Sequence, residues 1–307
     1  MSATFTETPA MLGEGTAALH GTLTMPAAPG RHDAGLIWSG SGPADRDGNS
    51  TRGLANNCFR LLAHGLAEAG FASLRTDKRG VAASAAAIGR EEDLRFDVFV
   101  DDAVRWAGWL AARPGVRRVF LLGHSEGGLV VTLAAERVKP AGLVLMSAPG
   151  FPAADVLRRQ MATLGAGAPE ALRRETEAIM AALERGETVA RVSPELAAAY
   201  RPSVQSYLIS WFRHDPAAAL GSRGVPTLVV QGSTDFQTTM DDAKRLAAAR
   251  PGIRLAPIGG MNHVLKDAPA EHAANYATYF RPMLPLSEAL LPTLADFLRA
   301  ATAANDR

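Results

Sequence analysis

The sequence lacks the features that would suggest a disulfide-stabilised or nucleic-acid-binding protein. Its 307 residues include one cysteine, Cys58, which excludes an internal disulfide and fits a reducing compartment. Basic and acidic residues number 32 and 31, so the net charge of +1 provides no attraction for nucleic acids or anionic membranes. Four Trp and four Tyr residues are too few for a base-stacking platform.

Targeting, membrane and metal signals are missing as well. Residues 1–5 lack the basic and apolar regions of a signal peptide, and no apolar run approaches the roughly 18 residues that span a bilayer. No H-E-x-x-H motif or Cys/His cluster is present. We therefore expect a soluble, cytoplasmic protein without a metal or other cofactor, which binds neither membranes nor nucleic acids.

What the chain does contain is a hydrophobic content of 47%, arranged as strands that alternate with helices. Between residues 151 and 223 the alternation stops and only helical patterns recur. The sequence predicts an α/β catalytic domain of residues 1–150 and 224–307, with 151–223 inserted as a helical cap over the carboxyl ends of the strands. Strands are predicted at 17–25, 35–38, 71–75, 119–122, 142–146, 226–231 and 253–257, and helices at 54–69, 94–112, after Ser125, and at 153–164, 169–183, 240–249 and 288–300.

The segment Gly123-His124-Ser125-Glu126-Gly127 joins a strand-like run to a helix-like run. Apolar, β-prone residues 119–122 precede it, and apolar residues recur at helical spacing after it. A G-x-S-x-G sequence at such a junction forms a sharp, strained turn that raises the serine hydroxyl above the sheet edge. The flanking glycines are required because side chains there would clash with the neighbouring strand and helix. Ser125 is therefore the candidate nucleophile.

A serine nucleophile needs a base, and an acid that orients the base, and both follow in the chain. Asp235 follows the strand predicted at 226–231, and His263 follows the last predicted strand. Each lies on a loop at the carboxyl end of a strand, which is the sheet edge at which Ser125 is expected. The order Ser, Asp, His is that of α/β hydrolases, so these three residues form the predicted triad.

The negative charge that develops on an attacked carbonyl needs two backbone N–H donors. Glu126, the residue after the nucleophile, supplies one at the start of the predicted helix. The glycine-rich loop after the strand at 35–38 is expected to supply the other, from Ser41 or else from Gly40 or Gly42. This loop begins like a dinucleotide-binding fingerprint, but Asp45 stands in place of the third glycine. We therefore assign the loop to an oxyanion hole rather than to a nucleotide.

Substrate contacts are expected from Gly40, Gly42 and the predicted cap, where His214, Tyr207 and Trp211 are the candidates. The wider pool of apolar cap residues at helical spacing could line the acyl and alcohol pockets, although packing is the commoner role for each one. This pool consists of Met161, Leu164, Met180, Tyr200, Tyr207, Trp211 and Phe212.

The segment Asp45-Arg46-Asp47, next to the oxyanion loop, can be interpreted in two ways. The carboxylates could bind calcium or act as a pair. A salt-bridged brace of the loop explains the same residues without a ligand, and we favour it.

Taken together, the motifs resemble those of bacterial α/β-hydrolase carboxylesterases of the serine-aminopeptidase-like superfamily. The resemblance implies an eight-stranded, mostly parallel sheet with a helical lid, and hydrolysis of short-chain acyl esters without a cofactor. It supports Ser125, Asp235 and His263 as the triad, and it implies a bracing role for the Asp77-Lys78-Arg79-Gly80 loop near the site. The motifs that carry it are residues 40–49, 77–81, 123–128, 232–235 and 260–263.

The resulting hypothesis is a serine carboxylesterase acting on a small-molecule ester. An aminopeptidase, amidase or thioesterase could use the same triad. A peptidase of this kind would need a carboxylate to bind the free α-amine, for which Glu126 and Glu195 are candidates. A ligand receptor on a hydrolase scaffold is the alternative from another class, and the intact triad argues against it. The natural substrate and the oligomeric state stay open.

Overall fold

One eight-stranded sheet organises the chain, of which the computed structural model describes residues 4–50, 53–164 and 167–305, with the backbone alone at 163, 164 and 305. The strands are β1 (Phe5–Leu12), β2 (Leu19–Pro26), β3 (His32–Trp38), β4 (Ala72–Thr76), β5 (Val116–His124), β6 (Leu143–Met146), β7 (Thr227–Gly232) and β8 (Arg254–Ile258). Their order is β1-β2-β4-β3-β5-β6-β7-β8. The β1–β2 and β2–β4 pairs are antiparallel and the other neighbours are parallel, so the expected mostly parallel sheet is confirmed.

Helices cover both faces of this sheet, because the central strands are apolar on both sides, as parallel strands usually are. Leu36 and Trp38 of β3 belong to the core that includes α2 and α3. Ile37, which points to the opposite face, belongs to the core that includes α1 and α11. The helices are α1 (Cys58–Glu68), α2 (Phe96–Ala111), α3 (Glu126–Val138), α4 (Ala153–Leu164), α5 (Glu170–Glu184), α6 (Ala197–Tyr200), α7 (Pro202–Phe212), α8 (Pro216–Gly221), α9 (Met240–Ala247), α10 (His272–Ala277) and α11 (Leu290–Asn305).

Helices α4 to α8 all lie between β6 and β7, which is where the sequence predicted helical patterns alone. Several of their side chains form a third apolar cluster, to which Met180 and Tyr200 belong. These two candidate pocket residues therefore pack inside the helical region, while the side chain of Leu164 lies outside the described residues. The Phe96 backbone N–H donates to Ser210 Oγ at 2.8 Å and ties α7 to the start of α2. The division into a catalytic domain and a cap stays a prediction.

The structure differs from the sequence prediction at two N-terminal elements. Strand β1 was not predicted, because most of its residues are exposed or half-buried and Pro9 interrupts its pattern. Helix α1 begins at Cys58 rather than at residue 54. Asn49 Oδ1 accepts hydrogen bonds from the backbone N–H groups of Asn56 and Asn57, which holds the preceding residues in an extended loop.

The outermost strands of the sheet are β1 and β8. Each contains one proline, Pro9 in β1 and Pro257 in β8. Proline has no backbone N–H and is tolerated in a sheet mainly on such edge strands.

Candidate active site

Ser125 occupies a strained turn between β5 and α3. Its backbone has φ 54° and ψ −128°, an unfavourable combination for a residue with a side chain. A Cβ on Gly123 would lie 2.4 Å from the Gly127 carbonyl oxygen, and a Cβ on Gly127 would lie 2.5 Å from the Trp38 carbonyl oxygen. The predicted clash of side chains with the neighbouring helix and strand is therefore confirmed at both glycines.

Asp235 and His263 meet on the loops that follow β7 and β8. His263 Nδ1 donates to Asp235 Oδ2 at 2.9 Å and lies 3.1 Å from Oδ1. The carboxylate also accepts from the backbone N–H groups of Gln237 at 2.8 Å and Thr238 at 3.1 Å. Burial alone would raise the pKa of Asp235, but the charge and hydrogen bond of His263 and the two backbone donors outweigh it, and the pKa is lowered. Asp235 is thus held as an anion that orients the imidazole.

The backbone around His263 is held by two residues that were not predicted to take part. His124 Nε2 donates to the His263 carbonyl oxygen at 2.7 Å, and the two rings lie 4.7 Å apart. Asn262 Nδ2 donates to Thr278 Oγ1 at 2.7 Å and to Asn275 Oδ1 at 3.1 Å. His124 and Asn262 are each adjacent in sequence to a predicted triad residue. Their hydrogen-bond partners, however, are distant in sequence and could not be predicted from that position.

Burial keeps His124 neutral. Loss of hydration, together with the charge of the nearby His263, lowers the pKa of His124 to about 3. A neutral ring that donates from Nε2 carries its lone pair on Nδ1. Within the described part of the chain, Nδ1 has no hydrogen-bond partner. His124 is therefore neutral and hydrogen-bonded to the backbone of His263.

The oxyanion loop lies directly against the candidate nucleophile. A Cβ on Gly40 would come within 2.7 Å of Ser125 Cβ, so the close approach of loop and turn requires glycine. Gly42 has φ 81° and is exposed, which suits its place in the turn beyond Ser41. Glu126 is the first residue of α3, where backbone N–H groups have no acceptor within the helix. The loop and the helix start thus flank Ser125.

Two cavities share Ser41 and Ser125. We call the first the cap-side cavity; it has a volume of about 50 Å³ and is also lined by Glu126, Leu157 and Trp211. The second, the histidine-side cavity, has a volume of about 120 Å³ and contains Gly40, His124 and His263. Ser125 and His263 therefore face one common space.

Gln237 is a further residue of the site for which the sequence gave no signal. It lines the cap-side cavity, the histidine-side cavity and a third cavity of about 300 Å³ next to Phe236 and Tyr276. Its side chain donates to the Tyr279 hydroxyl at 3.2 Å, and its carbonyl oxygen accepts from Gln160 Nε2 at 2.9 Å. Gln237 thus forms part of the wall between the three cavities.

The predicted cap contacts occupy different places. Trp211 lines the cap-side cavity and stacks on Phe96. Tyr207 and His214 are not among the described residues that line the two cavities containing Ser125. Tyr207 faces Glu126 instead, and burial together with that carboxylate raises the pKa of Tyr207 well above its usual range. His214 lies 5.4 Å from the Phe96 ring and 3.8 Å from Asp97.

The loops around the oxyanion turn are joined by ion pairs. Arg46 contacts Asp77 at 2.6 Å, and Asp47 contacts Arg75 at 2.7 Å. Asp45 Oδ1 accepts from the backbone N–H of Asp47 at 2.8 Å. Within residues 4–50, 53–164 and 167–305, no group of three or more His, Cys, Asp or Glu side chains could hold a metal ion. The contacts are those of a salt-bridged brace.

The Asp77-Lys78-Arg79 loop extends this brace beneath the site. Arg79 pairs with Asp102 of α2 at 2.7 Å. Lys78 is 4% exposed and donates from Nζ to the Gly40 carbonyl oxygen. Burial lowers the pKa of Lys78 and raises that of Glu126, while each charge partly offsets the effect on the other. Lys78 and Glu126 are therefore two buried ionisable groups near Ser125, and the charge of each acts on the other.

None of the helices in the described ranges is long and apolar enough to cross a bilayer.

Comparison with known proteins agrees with the fold and the motifs. Residues 53–265 match the family described as serine aminopeptidase, S33. The chain is 28% identical over 264 residues to esterase EstD of Thermotoga maritima, a match that covers 83% of this chain and 61% of EstD. The chain thus spans only about three-fifths of that curated relative.

Solved structures share the fold. Est1E from Butyrivibrio proteoclasticus, with ferulic acid bound, has a TM-score of 0.61 at 18% identity, and the match covers 93% of this chain and 96% of Est1E. The α/β hydrolase GrgF from Penicillium sp. sh18 also has a TM-score of 0.61, at 19% identity, with 97% of this chain and 99% of GrgF covered. The predicted α/β-hydrolase fold is therefore confirmed.

Proposed function

The chain belongs to the serine aminopeptidase S33 family of α/β hydrolases, and on that premise we propose that it is a serine carboxylesterase that cleaves short-chain acyl esters. The observation that carries the proposal is the histidine-side cavity, in which Ser125 and His263 face the same space. His263 in turn is hydrogen-bonded to the buried Asp235. The esterase name of the Thermotoga maritima relative supports the choice of ester over other acyl substrates.

In the proposed reaction, His263 takes the Ser125 hydroxyl proton while Oγ forms a bond to the ester carbonyl carbon. The Ser41 and Glu126 amides stabilise the oxyanion of the tetrahedral intermediate. As the intermediate collapses, the ester C–O bond breaks and His263 gives its proton to the leaving alcohol. A water molecule, deprotonated by His263, then attacks the acyl-enzyme and releases the carboxylic acid and free Ser125.

The two cavities fit the two halves of an ester. The leaving alcohol must receive a proton from His263, which lines the histidine-side cavity. The acyl group then enters the cap-side cavity, whose volume is about 50 Å³. Since about 10–15 Å³ of cavity is enough for one water molecule, this cavity admits an acyl group of only a few carbon atoms.

Binding of a free α-amine is disfavoured at Glu126. The Glu126 side chain is 2% exposed and the charge of Lys78 already acts on it, so a second cation would meet repulsion. Glu195, the other candidate, is exposed on the surface. The structure therefore favours an esterase over an aminopeptidase on the same triad.

The first test is the Ser125→Ala variant assayed with p-nitrophenyl acetate. We expect kcat/KM to fall by at least about 10³-fold, because removal of the nucleophile leaves only binding and oxyanion stabilisation. Ser222→Ala, which removes an exposed hydroxyl at the end of α8, is the matched control and should keep full activity. Turnover by Ser125→Ala within tenfold of the parent would contradict the proposal.

A second assay addresses the substrate class. p-Nitrophenyl esters with acyl chains of two to eight carbons are compared with aminoacyl p-nitroanilides. We expect the highest kcat/KM at two to four carbons and negligible anilide cleavage. Faster cleavage of the anilides would instead support an aminopeptidase.

A further inference from the structure

We propose that Lys78 is a positioning residue of the oxyanion hole, which acts through the peptide bond between Gly40 and Ser41. The inference rests on the proposed function, because it concerns the second N–H donor of that reaction. The Asp77-Lys78-Arg79 loop would then do more than brace the structure.

The contact that carries this inference is the hydrogen bond from Lys78 Nζ to the Gly40 carbonyl oxygen. That oxygen belongs to the same peptide unit as the Ser41 N–H. In a planar trans peptide the C=O and N–H bonds point in opposite directions. A donor that fixes the carbonyl on the buried side therefore directs the N–H to the other side, where Ser41 lines both cavities that contain Ser125.

The hydrogen bond also changes the strength of the donor. An ammonium bound to a carbonyl oxygen polarises the peptide group, and hydrogen bonds in such a chain reinforce one another in a low-dielectric surrounding. The Ser41 N–H thus becomes a better donor to a developing oxyanion. The positive charge contributes to transition-state stabilisation without contacting the substrate.

The surroundings of Lys78 hold its amine in place. The side chain is buried, and Nζ lies 5.6 Å from the centre of the Phe99 ring. The charge of the buried Glu126 favours the ammonium form and partly offsets the effect of burial on Lys78. Glu126 therefore has two expected roles: its backbone N–H is an oxyanion donor, and its side chain stabilises the ammonium that orients the other donor.

The test is Lys78→Met, which leaves an unbranched side chain one atom shorter and removes both the charge and the donor. We expect kcat for p-nitrophenyl acetate to fall about 10²-fold with KM changed less than threefold, since loss of one oxyanion donor costs about 10²–10³ in kcat. Affinity for a trifluoromethyl ketone, which forms a tetrahedral adduct with the serine, should fall by a similar factor.

Arg79→Met is the matched control, because it removes the neighbouring cation of the same loop and its ion pair with Asp102 but does not alter the contact with Gly40. It should lower the thermal midpoint while kcat and ketone affinity stay within threefold of the parent. If Lys78→Met does not fold, Lys78→Gln, which keeps a shorter polar side chain, is measured in the same way.

Two outcomes would overturn the inference: a kcat for the folded Lys78 variant within threefold of the parent, or equal losses in the Lys78 and Arg79 variants. Failure of the proposed function would give a different result, because a fluorophosphonate would then not label Ser125 even in the parent protein. If the proposed function is correct and Lys78 acts only through the oxyanion hole, the Lys78 variant should still be labelled to completion, only more slowly.

Discussion

Single buried residues around Ser125 are held in one protonation state by their surroundings. Asp235 is kept charged by His263 and the backbone N–H groups of Gln237 and Thr238, and His124 is kept neutral by burial. In these states Asp235 accepts from His263 Nδ1, and His124 donates to the His263 carbonyl oxygen. Each also links the stability of the fold to pH.

His124 provides the clearest pH prediction. Its pKa is about 3 in the folded protein, against an ordinary value of 6.5. Between these values the unfolded chain binds more protons, so the free energy of unfolding decreases as pH falls from 6.5 towards 3, by up to about 1.4 kcal/mol per pH unit. Urea unfolding of the parent and of His124→Asn between pH 7 and pH 4.5 should show a shallower pH dependence in the variant.

Cys58→Ala is a suitable control for that experiment. Burial raises the pKa of the Cys58 thiol to about 12, so this group does not titrate in the range tested. The control should lose stability at every pH and keep the pH dependence of the parent. Identical pH dependence in His124→Asn and the parent would refute the role assigned to His124.

The residue types Ser, Asp and His and their order along the chain were enough to predict which side chains the fold brings to one sheet edge; their catalytic roles stay a prediction. The G-x-S-x-G turn predicted the strained Ser125, and the ends of β7 and β8 predicted where Asp235 and His263 lie. The sequence placed the Lys78 loop near the site but could not predict its contact with Gly40, and it gave no signal for Gln237, since both depend on loops that meet only in the folded chain. Gln237 is separated from its partner Tyr279 by 42 residues and from Gln160 by 77.

Among the secondary-structure elements, helix α7 connects the helices between β6 and β7 to the cap-side cavity. Its residue Trp211 lines the cap-side cavity and stacks on Phe96 of α2 at 6.1 Å, with 4° between the ring planes. The neighbouring Tyr207 faces Glu126. Helix α7 thus contributes Trp211 to the cavity wall and Tyr207 to the surroundings of the buried Glu126 side chain.

We expect Trp211→Ala to change the acyl-chain preference. Removal of the indole enlarges the cap-side cavity, so kcat/KM for p-nitrophenyl octanoate relative to the acetate should rise by about tenfold or more. Trp109→Ala removes the same side chain at a half-buried position of α2 that lines neither cavity, and should keep the parent ratio. An unchanged ratio in both variants would place the acyl group elsewhere.

The bounds of helices and strands were predicted best where the hydrophobic periodicity of the sequence is strong. Helix α4 has the bounds that the sequence predicted, and the strands from β3 to β8 were each placed within a few residues. Strand β1 was missed because a mostly exposed edge strand has no buried face to produce a pattern. Helix α1 begins late because the Asn49 side chain accepts a hydrogen bond from the Asn56 backbone. Local hydrophobic periodicity carries no information about such a contact.

For the whole molecule, the near balance of charge predicts weak electrostatic steering. The net charge is +1, and the charged groups next to Ser125 are buried. We expect kcat/KM for p-nitrophenyl acetate, a neutral ester, to change by less than about twofold between 20 and 500 mM NaCl at constant pH. A tenfold fall across this range would show that surface charge controls substrate capture.

The prolines of the two outermost strands have a consequence for contact between molecules. Sheets with open sides can grow when a strand from a second molecule adds to an unpaired row of backbone donors and acceptors. Here each outermost strand contains a residue without a backbone N–H, Pro9 on one side and Pro257 on the other. Neither side of the sheet therefore offers an incoming strand an unbroken row of hydrogen-bond donors and acceptors.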